Sequence, residues 1–303
     1  MIITGKKFSK PDMSRVINGD VVLSSAPEKP EKFRLDHLLV KQHPEYNRSS
    51  LQTFIKSGFV YVDGAVVKKP NAQFEPSASI ILDVPEAKTP ANFQCPKILF
   101  EDAHVKVVDK PTGLLSMAKG EYCPEPTLED FGLLVHRLDR DTSGVVILAK
   151  DPETQKFLRN QFQNRKTHKT YLAVVEGHPK LPEAKIDLPL ARNLKHPTTF
   201  QVDPNGKPSV TFYKTLKQSD RYTLLELKPI TGRTHQLRVH LKYLGIPILG
   251  DRVYGSKSKV LSADKTSEPR LFLHAKSLEI TLPGGDRRIF ESPAPPEFNE
   301  IFA

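Results

Sequence analysis

Two arginines and two aspartates crowd the segment His136-Arg137-Leu138-Asp139-Arg140-Asp141-Thr142-Ser143-Gly144, directly ahead of the apolar run Val145 to Ala149. A carboxylate held among guanidiniums at a strand entrance is costly to desolvate, and such an arrangement serves chemistry more often than stability. Downstream, Lys169-Thr170-Tyr171 adds a phenol, and Gly232-Arg233-Thr234-His235-Gln236-Leu237-Arg238 adds further cations. A carboxylate in cationic and aromatic company can attack as a nucleophile or remove a proton as a general base. From spacing alone, each aspartate could instead be a turn former, the role that suits Asp141. Other chemistries are excluded by inspection: there is no phosphate-cradling glycine loop of either common spacing and no nucleophile elbow around a serine. His235 and His240 stand five apart, which points them away from each other on a helix or a strand, so no metal site is expected. No cofactor is expected either.

The elements that must carry these residues read as short strands: Ile98 to Phe100, Val105 to Val108, Val145 to Ala149, Tyr171 to Val175, Val210 to Leu216, Tyr222 to Leu227, Leu271 to His274 and Leu278 to Leu282. Many short strands imply a largely antiparallel sheet. Asp151-Pro152 is a helix start, a cap followed by a first-turn proline, with Leu158 and Phe162 as the buried stripe. A second helix is expected from Thr234 to Leu244, ending at Gly245. Regular βαβ alternation is missing, so the fold class is α+β, mainly antiparallel and sheet-rich.

Ahead of that domain, two short amphipathic helices carry Leu35, Leu38 and Leu39 on one face and Leu51, Phe54 and Ile55 on the next. Ser49 or Ser50 can cap the second helix and Gly58 can end it. Val60 and Val62 lead into Asp63-Gly64, a type I′ hairpin signal, and Val66-Val67 opens the return strand. This is a compact ααβ unit over residues 31–84. A proline-bearing linker is expected over 85–97, a leader rich in lysine, serine and proline over 1–30, and the larger domain over 98–303.

The chain has 303 residues, enough for about two domains. Its 45 Lys+Arg against 35 Asp+Glu leave a net charge of +10, which favours a polyanionic partner through counterion release. Arg34, Arg48 and Lys56 are candidate contacts to such a polyanion in the small unit, an RNA by the resemblance given below. So are Lys156, Arg159, Arg165, Lys166 and Lys169 in the large one, from a stretch, Gln155 to Thr170, that holds no acidic residue. Cys95 and Cys123 offer neither a disulfide framework nor a metal pair. No apolar run approaches the roughly 20 residues needed to span a bilayer, and the first thirty residues lack the apolar core of a secretory signal. A cytoplasmic location without membrane or protein partners is the expectation.

The His-Arg-Leu-Asp-x-x-Thr-Ser-Gly pattern, Lys169-Thr170-Tyr171 and Gly232 to Arg238 together resemble the RluA-type pseudouridine synthases. Lys110-Pro111-Thr112-Gly113-Leu114-Leu115, Gly245 to Asp251, Tyr254-Gly255, Leu273-His274-Ala275 and Ser292-Pro293 extend the likeness to about residues 32–298. Arg34-Leu35-Asp36, Arg48-Ser49 and Gly58 to Gly64 resemble the S-four-like RNA-binding module that often precedes that catalytic domain. Met117-Ala118-Lys119-Gly120 departs from the histidine- and proline-bearing loop of relatives. The resemblance implies isomerisation of uridine to pseudouridine in RNA, ribosomal RNA of the large subunit being favoured and transfer RNA the alternative. It implies Asp139 as the catalytic carboxylate, acting either on carbon 1 or on the carbon 2 proton of the ribose. Arg233 would be its ionic partner and Tyr171 the ring against the base. Leu237 would wall the pocket, Arg137 would approach the stack that the extruded nucleotide leaves, and Thr142 and Gly144 would shape the loop near the substrate. His136 and His235 are expected as structural hydrogen-bonders. A non-catalytic RNA-binding factor and a nucleoside hydrolase remain as other classes, the latter normally needing two cooperating carboxylates.

Overall fold

A computed structural model describes residues 31–84, 94–118, 125–255 and 270–303. The expected leader, most of the expected linker and Cys123 lie outside the described residues. The chain divides into two compact units that part between Glu86 and Ala87.

In the smaller unit, β1 (Phe33–Arg34) runs into α1 (Leu35–Gln42), followed by α2 (Arg48–Ser57), β2 (Val60–Val62), β3 (Ala65–Val66), β4 (Gln73–Phe74) and β5 (Ile80–Leu82). Leu35, Leu39, Leu51, Phe54 and Ile55, the apolar stripes of the two helices, are fully buried. The cap of α2 is Asn47, not Ser49 or Ser50: its side chain accepts the Ser50 amide at 3.0 Å, because it stands three residues ahead of that amide. Gly58 ends α2 in the left-handed region at φ 85°. Asp63 and Gly64 both take positive φ, as the tight hairpin between β2 and β3 requires.

The larger unit runs β6 (Lys97–Glu101), β7 (Val105–Lys110), a 3₁₀ turn (Leu128–Phe131), β8 (Leu133–Leu134), β9 (Ser143–Ala149), α3 (Pro152–Gln163), β10 (His168–Glu176), β11 (Glu183–Asp187), β12 (Leu190–Arg192), β13 (Phe200–Val202), β14 (Val210–Gln218), β15 (Tyr222–Pro229), α4 (Gln236–Tyr243), β16 (Leu273–Thr281), β17 (Arg287–Glu291) and α5 (Glu297–Glu300). Ten of these strands form one sheet with the path β11-β14-β15-β10-β16-β9-β7-β6; β17 pairs with β16, and β8 with β9. Every pairing is antiparallel except β16 with β9, which run parallel. The two strands expected over Leu271 to His274 and Leu278 to Leu282 are one strand, β16, because the chain runs on through an irregularity at Lys276, with Ala275 and Ser277 paired to Tyr171 and Thr170 of β10 and Ser277 to Glu291 of β17.

β9 is buried along its whole length. Val145, Ile147 and Ala149 pack with Leu158 of α3 on one side, while Val146 and Leu148 pack with Leu128 and Leu138 on the other. That two-sided burial is what an unbroken apolar run encodes. A second core joins β10, β14 and β15 to α4 and Phe298, and Tyr171 touches both this core and the Leu128–Leu138 cluster. Tyr171 therefore marks the seam where the two halves of the sheet meet. Among the described residues no helix is long and apolar enough to cross a membrane.

A carboxylate cavity as the candidate active site

The loop between β8 and β9 would leave its carbonyls unpaired if nothing supported it, and the end of β7, the segment after it and the loop's own Thr142 supply the partners. Ser116 Oγ donates to the Leu138 carbonyl at 2.7 Å and accepts the Leu138 amide at 3.1 Å. The Thr142 amide bonds the Asp139 carbonyl at 3.1 Å, and the Gly113 amide bonds that of Arg140 at 2.9 Å. Thr112 Oγ1 donates to the Asp141 carbonyl at 2.9 Å. Lys110 lies fully buried beneath, its ammonium donating to the carbonyls of Arg140 at 2.8 Å and Pro111 at 2.9 Å. Burial lowers the Lys110 pKa to about 7, against the pull of Asp141 and Asp139. All four carbonyls from Leu138 to Asp141 are thus held, and Leu138 is anchored in the core at 4 % exposure.

The side chain of Asp139 faces α4. Arg238 Nη1 donates to Asp139 Oδ2 at 3.2 Å, while the same guanidinium makes a two-pronged contact with Asp251, Nε to Oδ2 at 2.7 Å and Nη2 to Oδ1 at 2.9 Å. Burial alone pushes the Asp251 carboxyl up, but hydrogen bonding and charge from Arg238, with the Tyr254 and Val253 amides, hold it below the usual range. Burial opposes the charge on Arg238, yet its two carboxylates raise its pKa further. Arg238 is 6 % exposed and is fixed before it reaches Asp139.

The expected partner of Asp139 was Arg233, and here the expectation is corrected. Arg233 Nε donates to the Pro208 carbonyl at 3.3 Å. The difference lies in the start of α4: His235 takes a left-handed conformation at φ 57°, so the chain turns between the two arginines and only Arg238, in the first turn of the helix, bonds Asp139. Both arginines stand in one motif five residues apart, and nothing in the spacing tells which guanidinium arrives. Asp251, which carries Arg238, had no role assigned from sequence.

A cavity of about 140 Å³ opens at this place, lined by Arg137, Asp139, Thr142, Lys169, Tyr171, Arg233, His235, Leu237 and Arg238 among others. That is well under the roughly 300–1,000 Å³ of a site for a drug-sized molecule, and it suits a single small ring. Tyr171 sits beside an irregularity in the β10–β16 ladder, which re-aims the strand next to the cavity. Burial raises its phenol pKa, and the Asp139 charge raises it further, so the phenol is neutral at ordinary pH. Leu237 is 7 % exposed and forms apolar wall. Thr142 Oγ1 is buried and has no hydrogen-bond partner among the described residues.

Gly144, expected near the substrate, is absent from the cavity lining and plays another part. At φ 114° it meets Ala275 in the parallel β9–β16 contact, where a Cβ would lie 2.2 Å from the Ala275 carbonyl oxygen. His136 accepts the Ile147 amide at 3.1 Å and stacks on Phe162, and burial lowers its pKa to about 3. It is a neutral structural bonder.

Of the candidate RNA contacts, Lys156, Arg159, Arg165 and Lys166 are exposed. Arg159 also bonds the protein, with Nε at 3.1 Å and Nη2 at 2.8 Å from the Leu134 carbonyl, just ahead of the active loop. Lys169 is half-buried at the cavity, and burial lowers its pKa. Arg137 is exposed and reaches Met117 Sδ at 3.3 Å. In the smaller unit Lys56 is exposed, whereas Arg34 and Arg48 both grip the buried Asp36, at 3.0 Å and 2.9 Å, with Gln52 at 2.7 Å. Burial resists the Asp36 charge, but these hydrogen bonds outweigh it and hold the carboxyl far below its usual range. The two arginine side chains remain 42 % and 49 % exposed, so Asp36 fixes them without hiding them.

A family model described as RNA pseudouridylate synthase matches residues 104–243, and one described as S4 domain matches residues 33–80. An uncharacterised RNA pseudouridine synthase of Aquifex aeolicus is 35 % identical, over 90 % of this chain and 94 % of that one. The ribosomal large subunit pseudouridine synthase D of Nitrosomonas europaea is 36 % identical, over 96 % of this chain and 91 % of that one. Among solved structures, human RNA pseudouridylate synthase domain containing 1 aligns with a TM-score of 0.57 at 28 % identity, covering 67 % of this chain and 85 % of that one.

Proposed function

The chain belongs to the RNA pseudouridylate synthase family, and we propose that it converts specific uridines of large-subunit ribosomal RNA to pseudouridine, with Asp139 acting on a nucleotide swung out of its stack. The observation that carries this reading is the Asp139 carboxylate, clamped by a guanidinium that Asp251 already orients, at the mouth of a cavity sized for one base. Relatives named for the ribosomal large subunit support the choice of RNA.

The reaction breaks the bond from ribose carbon 1 to base N1, turns the base, and joins carbon 1 to carbon 5. N1 gains a proton and carbon 5 loses one, so atoms and electrons balance without a further reactant. Asp139 serves either by attacking carbon 1 or by taking the carbon 2 proton of the ribose, and both routes need an ionised, aimed carboxylate. Arg238 and the four held loop carbonyls supply the aim. The Tyr171 ring stacks against the base, and its hydroxyl is placed to help carry the carbon 5 proton. Leu237 closes the apolar wall, and Thr142 steadies the loop behind Asp139. Arg137 and Arg233, at the rim, engage the RNA around the vacated stack, where a planar guanidinium recovers part of the few kcal/mol that unstacking costs. Lys169 adds positive charge inside the cavity, Lys156, Arg165 and Lys166 add it outside, and Arg34, Arg48 and Lys56 give the S4 unit an RNA-facing set.

Pseudouridine mapping in large-subunit ribosomal RNA, with the gene deleted and then restored, tests the assignment. Loss and return of modification at defined uridines is expected. An unchanged ribosomal map with a changed transfer RNA map would overturn the choice of RNA.

A further inference from the structure

His235 bonds within the protein and also lines the cavity beside Asp139. It is one of three residues other than glycine held at positive φ among the described residues, and such strain persists where the surroundings impose it. The Phe200 amide donates to the Tyr254 hydroxyl at 2.8 Å, and that hydroxyl lies 2.7 Å from His235 Nδ1. Nε2 faces a carboxylate, which favours the ring proton on that nitrogen, and Nδ1 then accepts the Tyr254 hydrogen. The proton of the neutral ring is then on Nε2. Burial lowers the His235 pKa and keeps the ring neutral. Nε2 in turn faces Asp139 Oδ2 at 3.9 Å, too long for a direct bond, and both side chains reach the cavity at about one-fifth exposure.

A donor and an acceptor 3.9 Å apart fit one hydroxyl between them, at ordinary hydrogen-bond lengths of about 2.7–2.9 Å to each. A hydroxyl both accepts and donates, so it satisfies the Nε2–H and the carboxylate together. We propose that His235 is a specificity-determining residue that reads the ribose 2′-hydroxyl of the reacting nucleotide, with the β12–β13 hairpin holding its ring through Tyr254. This rests on the isomerase reading above, which puts the sugar against Asp139. The 2′-hydroxyl is also the group that tells RNA from DNA at a given nucleotide.

The test uses a synthetic RNA hairpin carrying the uridine that the protein modifies, and the same hairpin with 2′-deoxyuridine at that position alone. Single-turnover rates are measured for the wild type, His235→Asn, His235→Gln and Tyr254→Phe. Asparagine tolerates the left-handed backbone but its amide stops near the Nδ1 position, whereas glutamine reaches toward Nε2. The wild type should prefer the ribose substrate by at least about tenfold, the scale of one well-placed hydrogen bond whose loss leaves a polar group unpaired. His235→Asn should slow the ribose substrate by about that factor, leave the deoxy rate nearly unchanged, and bring the ratio close to one. Glutamine should restore part of the ratio, and Tyr254→Phe should lower it partway. If the deoxy substrate is too slow to time, the ratios are read from dissociation constants. Equal slowing of both substrates by His235→Asn, or a wild type that ignores the 2′-hydroxyl, overturns the proposal while leaving the isomerase standing. No turnover of the ribose hairpin by the wild type would remove the isomerase reading and this inference together.

Discussion

Replacing Arg238 with lysine keeps the positive charge on α4 and removes the planar fork. Three guanidinium nitrogens now make the 2.7 and 2.9 Å bonds to Asp251 and the 3.2 Å bond to Asp139, and one ammonium cannot occupy all three positions. The stronger partner is Asp251, fully buried, and lysine will settle there. Asp139 then loses a hydrogen bond between charged groups, about 1.5–3 kcal/mol by usual measures. If that interaction aims the carboxylate in the transition state, kcat falls by about 10- to 150-fold, a decade for each roughly 1.4 kcal/mol. RNA affinity should hold, because Arg238 is 6 % exposed and its guanidinium is already engaged by two carboxylates. Arg233→Lys should show the opposite pattern, with kcat within about threefold of wild type and weaker RNA binding, as expected of a rim contact that acts through its planar fork. Tritium release from RNA labelled at carbon 5 of uridine, at saturating protein, reads kcat; filter binding reads affinity; thermal unfolding checks that each variant folds. A kcat loss in Arg233→Lys with none in Arg238→Lys would reverse the pairing and sink the reasoning.

Asp36→Asn should free Arg34 and Arg48, cost about 1–3 kcal/mol of stability, and weaken RNA binding while leaving kcat at saturation nearly unchanged; a purely structural Asp36 would leave affinity untouched once folding is corrected for. For Lys110 the folded pKa, about 7, lies below the unfolded value of 10.5, so between them the unfolded chain binds more protons and this group adds stability as pH rises. The stability of wild type minus Lys110→Met should therefore climb by about 1.4 kcal/mol per pH unit between about pH 7.5 and 9.5 in denaturant titrations, and a flat difference would mean the ammonium is not desolvated. Gly144→Ala puts a methyl 2.2 Å from the Ala275 oxygen at φ 114°, which should destabilise by about 2–5 kcal/mol, and a melting point near wild type would contradict that crowding.

Local signals carried most of the framework. The unbroken apolar run of β9 told of two-sided burial, Asp151-Pro152 of the start of α3, and Asp63-Gly64 of a hairpin, because each is decided by backbone propensity or by burial within a few residues. Strands β11, β12, β13 and β17 were not foreseen. They are short or half-exposed and owe their existence to pairing with distant partners, which no local pattern records. The same limit applied at the site. Asp139, Tyr171 and Leu237 were placed on the residues that line the cavity, but Arg238, Asp251 and Lys110 were overlooked as its supports. The Arg238–Asp251 pair and the Lys110–Arg140 contact join residues 13 and 30 apart across a turn and a loop, and these geometries exist only once the chain has folded. Arg159 carries a part that no spacing records: exposed like its basic neighbours, it also holds the Leu134 carbonyl just ahead of the active loop.

The most direct measurement is single-turnover tritium release by Asp139→Asn on the ribosomal RNA that the wild type modifies, with binding measured alongside. The amide keeps the shape of the side chain, and Asp251 still holds Arg238, so folding and RNA affinity should stay near wild type. Isomerisation should fall by at least about a thousandfold, since neither nucleophilic attack nor proton removal survives loss of the negative charge. A variant that forms pseudouridine at the wild-type rate would show that the chemistry belongs to another group.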